Sequence, residues 1–200
     1  MTVDDAALDQ LVAQAKAGDA EAFAALFDLY HVRVYRYIAN RVQRPADAED
    51  LTQVVFVKVL EALPRYEARG VPFGGWLFRL ARNVVIDFVR TRHEHAGLDT
   101  ALDRPSVHRG PDEEALTRTD IETMRNALAG LTDEQREAIS LRYFAGLTTR
   151  EVAIAMNRQE GTVRGLQFRA IASLRRAMGL ESDRQPIDLP RQAGARRVAR

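Results

Sequence analysis

Along the chain, apolar residues return at intervals of three and four, the spacing that gathers them on one side of an α-helix. No stretch sustains the period of two that a half-buried strand requires, so the pattern predicts an all-α fold. A first helix is expected from about Asp5 to Ala17, stopped by Gly18, whose missing Cβ suits a left-handed C-terminal position. Asp19 then caps a second helix running to about Val42. Pro45 ends that segment, Asp47 caps a third helix to about Leu63, and Pro64 stops it. A loop from Arg65 to Gly75 leads into a helix from Trp76 to Arg92, which completes a first domain, residues 1–92.

Between 93 and 112 the stripe dissolves into His, Gly, Asp, Arg and Pro, the composition of a flexible linker. Such a linker leaves the two flanking units at no fixed separation. Periodicity returns near Glu113 and gives four helices in a second domain, 113–180: to Gly130, from Thr132 to Ala145, from Thr149 to Met156 and from Glu160 to Met178. Thr132 with Gln135, and Thr148 with Glu151, have the spacing of capping boxes. The stretch 181–200, with two prolines and Arg191, Arg196, Arg197 and Arg200, is expected to be a basic, disordered tail.

The helix Thr149 to Met156, the turn Asn157-Arg158-Gln159 and the helix from Glu160 have the lengths of a helix-turn-helix, with Asn157 suited to the left-handed turn. On the second of these helices Val163, Leu166, Ala170 and Leu174 face inward. Thr162, Arg164, Gly165, Phe168, Arg169, Arg175 and Arg176 lie around the rest. Such a face suits DNA, and an ordinary solvated arginine face on a small bundle has the same spacing. In the helix from Trp76, the residues Leu77, Leu80, Ala81, Val84 and Phe88 form the core stripe, and Arg79, Arg82, Asn83, Ile86 and Arg90 lie opposite. Guanidinium groups flanking an amide suit phosphates and base edges, with Trp76 as a stacking or wedge residue. The plainer alternative is a core tryptophan beside a solvated basic face. Asp47, Glu49 and Asp50 open the preceding helix, where the helix dipole favours acids in any protein.

Composition narrows the chemistry. With 46% hydrophobic residues the 200-residue chain has enough apolar surface for a core, and with no cysteine it has no disulfide scaffold, thiolate metal site or cysteine nucleophile. The run Val54 to Val57 is far too short to span a bilayer and the first residues show no signal-like stretch, so a soluble cytoplasmic protein is expected. His31, His93, His95 and His108 lack metal-ligand spacing, and neither a glycine-rich phosphate loop nor an activated nucleophile stands out. No cofactor, metal or enzymatic activity is expected. The net charge is +1 with 28% charged residues, so any field must come from uneven distribution.

Taken together, these segments resemble the extracytoplasmic-function (group IV) sigma factors of bacterial RNA polymerase. The resemblance covers most of residues 10 to 178. In the first domain it rests on Gly18-Asp19-Ala20-Glu21-Ala22-Phe23, Tyr35-Arg36-Tyr37-Ile38, Asp47-Ala48-Glu49-Asp50-Leu51-Thr52-Gln53 with Phe56, and Pro72-Phe73 with Trp76-Leu77, Arg79, Ala81-Arg82-Asn83, Asp87 and Arg90. In the second it rests on Leu131-Thr132, Gln135-Arg136, Leu141-Arg142-Tyr143, Gly146, Glu151-Val152-Ala153 and Glu160-Gly161-Thr162-Val163-Arg164 with Arg169-Ala170 and Leu174. Each string is short, and their order and spacing across two domains is what makes the match specific.

The resemblance implies that Asp47, Asp50, Leu51, Gln53 and Phe56 serve docking on core RNA polymerase, with Asp50 and Gln53 at family contact positions. It implies that Trp76, Arg79, Arg82, Asn83 and Arg90, with the loop before them, read and melt the −10 promoter element. Residues Arg65 to Gly70 would help form a pocket for a captured base. Thr162, Arg164, Gly165, Phe168 and Arg169 would read the −35 element. An anti-sigma inhibitor is common in the family, and nothing in the residues identifies one. The sequence departs from the family pattern at Val54, where a glutamate is usual, at Gln159 in place of Ser or Pro before the recognition helix, and at Leu166-Gln167-Phe168 in place of Arg-Leu-His. The alternative is an autonomous helix-turn-helix regulator with a helical effector domain, which would bind duplex DNA alone and would not need the acidic docking helix.

Overall fold

The computed structural model describes residues 5–42, 44–68, 70–96 and 118–180. Among these the regular structure is helical, with no strand: α1 (Asp5–Lys16), α2 (Ala20–Ala39), α3 (Pro45–Ala62), α4 (Phe73–Ala96), α5 (Arg118–Ala129), α6 (Asp133–Ile139), α7 (Thr149–Met156) and α8 (Glu160–Ala177). Much of the local signalling acts as the sequence leads one to expect. Gly18 has φ of +95°, and the Asp19 carboxylate accepts from the N–H groups of Glu21 and Ala22 at 2.9 and 3.1 Å. Both capping boxes form, at Thr132 with Gln135 and at Thr148 with Glu151.

Several boundaries differ. Pro45 opens α3 instead of ending the preceding segment, because its fixed φ fits the first helical position and its missing N–H would have had no helical partner there. Asp47 is therefore not the cap; it sits in the first turn, where its carboxylate meets Arg92 Nη1 on α4 at 2.9 Å. Helix α4 starts at Phe73, three residues before Trp76, since Phe73 buries its ring in the core. It also continues to Ala96, beyond residue 92. Helix α6 gives way at Ser140–Phe144 to a single π-helical turn. Residues 97–117 and 181–200, which hold most of the expected linker and the whole expected tail, lie outside the described residues.

The main core draws on both helical regions. Tyr37, Ile38, Phe78 and Val85 from the first are buried in one cluster with Leu141, Leu147, Val152 and Val163 from the second. A smaller cluster of Leu128, Leu131, Ile139 and Ala170 ties α5 and α6 to α8. The two regions therefore pack against each other in this structure. Helix α4 packs more extensively on α7 than on any other element. Gly74 and Gly75 permit the approach: a Cβ on Gly75 would lie 3.1 Å from Ile154 Cγ2, and one on Gly74 would collide with the Glu151 carboxylate.

Candidate nucleic-acid and polymerase interface

The helix-turn-helix is built by local chemistry. In the capping box of α7, Thr148 N–H donates to Glu151 Oε2 at 2.8 Å and Glu151 N–H donates to Thr148 Oγ1 at 3.2 Å. Asn157 turns the chain in the left-handed region, φ 53° and ψ 51°, and Arg158 N–H then donates to the Ala153 carbonyl at 2.9 Å. Gln159 precedes α8 and its side chain makes no capping bond, as its departure from the usual Ser or Pro leads one to expect. Val163, Leu166 and Ala170 are buried, with Leu174 packed at the edge.

The other side of α8 offers Thr162, Arg164, Phe168 and Arg169 to solvent, and the Phe168 ring is 75% exposed. Arg164 is tethered one turn back to Glu160 at 3.1 Å, and the Arg169 guanidinium lies beside Gly165. Of the triplet that departs from the family pattern, Leu166 and Gln167 are buried, so Phe168 alone reaches outward.

The basic stripe of α4 is divided. Asn83 and Arg90 face solvent, with Arg90 beside Asp87 at 3.2 Å. Arg79 is solvent-exposed yet engaged: Nε and Nη2 both donate to the Ile154 carbonyl in the last turn of α7, at 3.1 and 3.0 Å. Arg82 is half-buried, its Nε 3.9 Å from Glu137 Oε1. Trp76 is half-buried in an aromatic group with Tyr66 and Phe73, ring centroids 4.8 and 5.4 Å away, so it combines a packing role with a partly open face. In the loop before α4, Arg65 is exposed, whereas Tyr66 is buried and its hydroxyl donates to the Val71 carbonyl at 2.6 Å.

Helix α3 is similarly divided. Asp50 and Gln53 are exposed, whereas Leu51 and Phe56 point into the core, where Phe56 packs on Phe27 with centroids 4.6 Å apart. The outer face carries Val54, Val57 and Leu60, all exposed, an apolar strip beside the two polar contact positions. The consecutive valines were visible in the sequence, but only the helix register shows which of them point outward.

A polar cluster between the regions went unseen in the sequence. Glu137 on α6 is buried; its Oε1 accepts from the Tyr37 hydroxyl at 2.6 Å, and its Oε2 lies 3.3 Å from Arg41 Nη2. Burial, with the Glu137 charge adding to it, pushes the Tyr37 hydroxyl well above the usual phenol range. Asn40 Nδ2 donates to Ser140 Oγ at 2.7 Å, and Arg33 Nε donates to the Ala145 carbonyl at 2.8 Å. The available signal was a carboxylate inside an apolar helical stripe, at Glu137 beside Ala138 and Leu141.

Two helical regions, the second ending in a helix-turn-helix with an outward Arg/Phe face, make the architecture of a two-part promoter-recognition factor. The family model for Sigma-70 region 2 matches residues 26–94, and that for Sigma-70 region 4 matches residues 127–176. The ECF RNA polymerase sigma factor ShbA of Streptomyces griseus is 39% identical over 175 residues, covering 82% of this chain and 92% of the relative. The ECF RNA polymerase sigma factor BldN of Streptomyces coelicolor is 36% identical over 177 residues, covering 88% of this chain and 67% of the relative. Among solved structures, CnrH in complex with the cytosolic domain of CnrY superposes with a TM-score of 0.65 at 25% identity, covering 86% of this chain and 97% of that one. The chain belongs to the extracytoplasmic-function sigma factors, the specificity subunits that join core RNA polymerase and direct it to promoter DNA. Among the described residues, no helix is long and apolar enough to cross a membrane.

Proposed function

We propose that the first region docks on core polymerase through the exposed Asp50 and Gln53 of α3, while its α4 reads and opens the −10 element with Asn83, Arg90, Arg79, Arg82 and the open face of Trp76. The second region reads the −35 element with Thr162, Arg164, Gly165, Phe168 and Arg169. Leu51 and Phe56 shape the docking helix from beneath, and Asp47 fixes it to α4 through Arg92. Residues 1–92 and 113–180 form the two working domains. The protein acts in the cytoplasm, as a binding subunit and not as an enzyme, and an anti-sigma protein is a further partner, an inference supported by the likeness to CnrH bound to the cytosolic domain of CnrY.

The observation that carries this reading is the presence on one chain of three outward faces of different chemistry: acidic and apolar on α3, amide and arginine on α4, arginine and phenylalanine on α8. Melting a duplex costs stacking energy, which aromatic and arginine contacts to the freed bases offset. Run-off transcription with purified core polymerase on genomic fragments tests the reading. Specific transcripts are expected with the wild-type chain, and Asp50→Lys should weaken polymerase binding in a competition assay, because charge reversal at an interface sets like charges together. Absence of transcripts, or unchanged polymerase affinity of Asp50→Lys, would overturn the corresponding assignment.

A further inference from the structure

We propose that Lys16, in the last turn of α1, is a positioning residue for promoter opening: it pins the Tyr66 backbone, and Tyr66 in turn holds Trp76 with one face open to a base. This inference rests on the −10 role given to Trp76 above. Lys16 Nζ donates to the Tyr66 carbonyl, 50 positions further along the chain, at 2.6 Å. An ammonium–carbonyl bond of this length is charge-assisted and stronger than a neutral one. Val12 and Ala15, just before the lysine, are buried in the core and seat α1, so the ammonium is delivered from a fixed support.

The bond falls where the backbone changes direction. Leu63–Arg65 continues α3 as a 3-10 turn, and the chain leaves it extended at Tyr66, with φ −65° and ψ 131°. The carbonyl end of this helical run carries partial negative charge, which the cation brought in from α1 meets. Tyr66 then acts in two directions. Its N–H donates to the Leu63 carbonyl at 3.0 Å and its hydroxyl to the Val71 carbonyl at 2.6 Å, so one residue joins the end of the turn to the entry of α4. Burial, with the charge of Asp9 on α1 adding to it, raises the Tyr66 hydroxyl above the usual phenol range, which keeps it a donor at neutral pH. The buried ring meets Trp76 with centroids 4.8 Å apart, tilted by 43°, and meets Phe73 edge-on at 5.6 Å. Trp76 therefore rests on a ring whose backbone Lys16 holds. Releasing that carbonyl frees ring and indole to shift together, and a stacking face that is no longer fixed must be ordered at the expense of capturing the freed base.

The chain has a single tryptophan, so its fluorescence reports Trp76 alone. Lys16→Met keeps most of the apolar stem and deletes the ammonium. In the full-length variant the acrylamide-quenching constant of Trp76 should rise, and permanganate-detected promoter opening with core polymerase should slow by about tenfold, the order of loss that a misplaced contact group produces. Polymerase affinity should hold, because Asp50 and Gln53 are untouched. Lys16→Arg, which keeps the charge and the N–H donors, should restore both readings. A lysine with a merely structural role would lower the urea midpoint while leaving quenching and opening rate unmoved in the folded chain. Either reading at its wild-type value in folded Lys16→Met, or a Lys16→Arg chain as slow as Lys16→Met, would overturn the proposal.

Lys16 is otherwise exposed, so the site accepts a polar replacement. If Lys16→Met is misfolded by circular dichroism, Lys16→Gln decides: it keeps an N–H donor without the charge, and both readings should move in the same direction by a smaller amount. Wild-type quenching and opening in that variant would overturn the proposal. A folded Trp76→Ala chain that opens promoters as fast as wild type would instead defeat the underlying role of Trp76, and the quenching comparison would still show whether Lys16 positions the indole.

Discussion

The hydrogen bond from Tyr37 to Glu137 joins residues one hundred positions apart, one in each helical region, which makes it a direct probe of whether the regions are held together in solution. Tyr37→Phe deletes one oxygen from a side chain with no solvent exposure and leaves its ring packed edge-on against Phe78. A hydrogen bond to a charged group contributes about 1.5–3 kcal/mol, so a loss in that range is expected from this variant alone. Glu137→Ala removes the acceptor and leaves a buried phenol and two facing guanidinium groups without their anion. Breaking a buried pair costs about 3–5 kcal/mol, and because Arg82 and Arg41 keep 29% and 15% of their side-chain surface, the lower end applies. The double variant should lose less than the sum of the two, by about 1.5–3 kcal/mol, since the shared bond can be lost once only. Urea unfolding followed by circular dichroism reads this: with a slope of about 2 kcal/mol/M, a loss of about 2 kcal/mol moves the midpoint by about 1 M. A coupling below about 0.5 kcal/mol, within the scatter of independent sites, would show that the two regions are not joined by this bond in solution.

Three further outcomes follow from the geometry. Asn83→Ala and Arg90→Ala should each slow open-complex formation in a permanganate-footprinting assay while leaving polymerase affinity intact, with a loss of about 1–3 kcal/mol where a base edge is read; equal loss of polymerase binding would make this face a protein contact. Arg169→Ala should either relax preference at particular −35 base pairs or weaken all promoters alike, and Phe168→Ala, which removes a ring 75% exposed, should leave the melting temperature unchanged while altering promoter choice. Alkali should destabilise the fold: burial raises the Tyr30 hydroxyl from 10.0 to about 12 and the Tyr37 hydroxyl well above 10.0. Above pH 10 the unfolded chain releases these protons while the folded chain retains them, so stability falls with rising pH by up to about 1.4 kcal/mol per pH unit for each group, and Tyr37→Phe should flatten that slope in urea titrations.

What the sequence determined by itself is whatever depends on a few neighbouring residues. Gly18 and Asn157 adopt the left-handed conformations their positions call for, the Thr132 and Thr148 boxes close, and Val163, Leu166 and Ala170 face inward at helical spacing. The tertiary structure decided what depends on residues far along the chain. Pro45 reads as a stop or as a start until it is known where α3 packs, and Leu51 and Phe56 read as contact residues until their burial assigns them to the core. A single apolar stripe describes α4 only if one of its faces is covered. The burial of Phe78 and Val85, the capture of Arg79 by Ile154 and the withdrawal of Arg82 toward Glu137 all arise from a second surface supplied by α6 and α7. Periodicity reports that a helix has an apolar face; it carries no record of a partner face whose fit rests on two glycines and on a carboxylate stable in the interior only because a phenol and two guanidinium groups surround it.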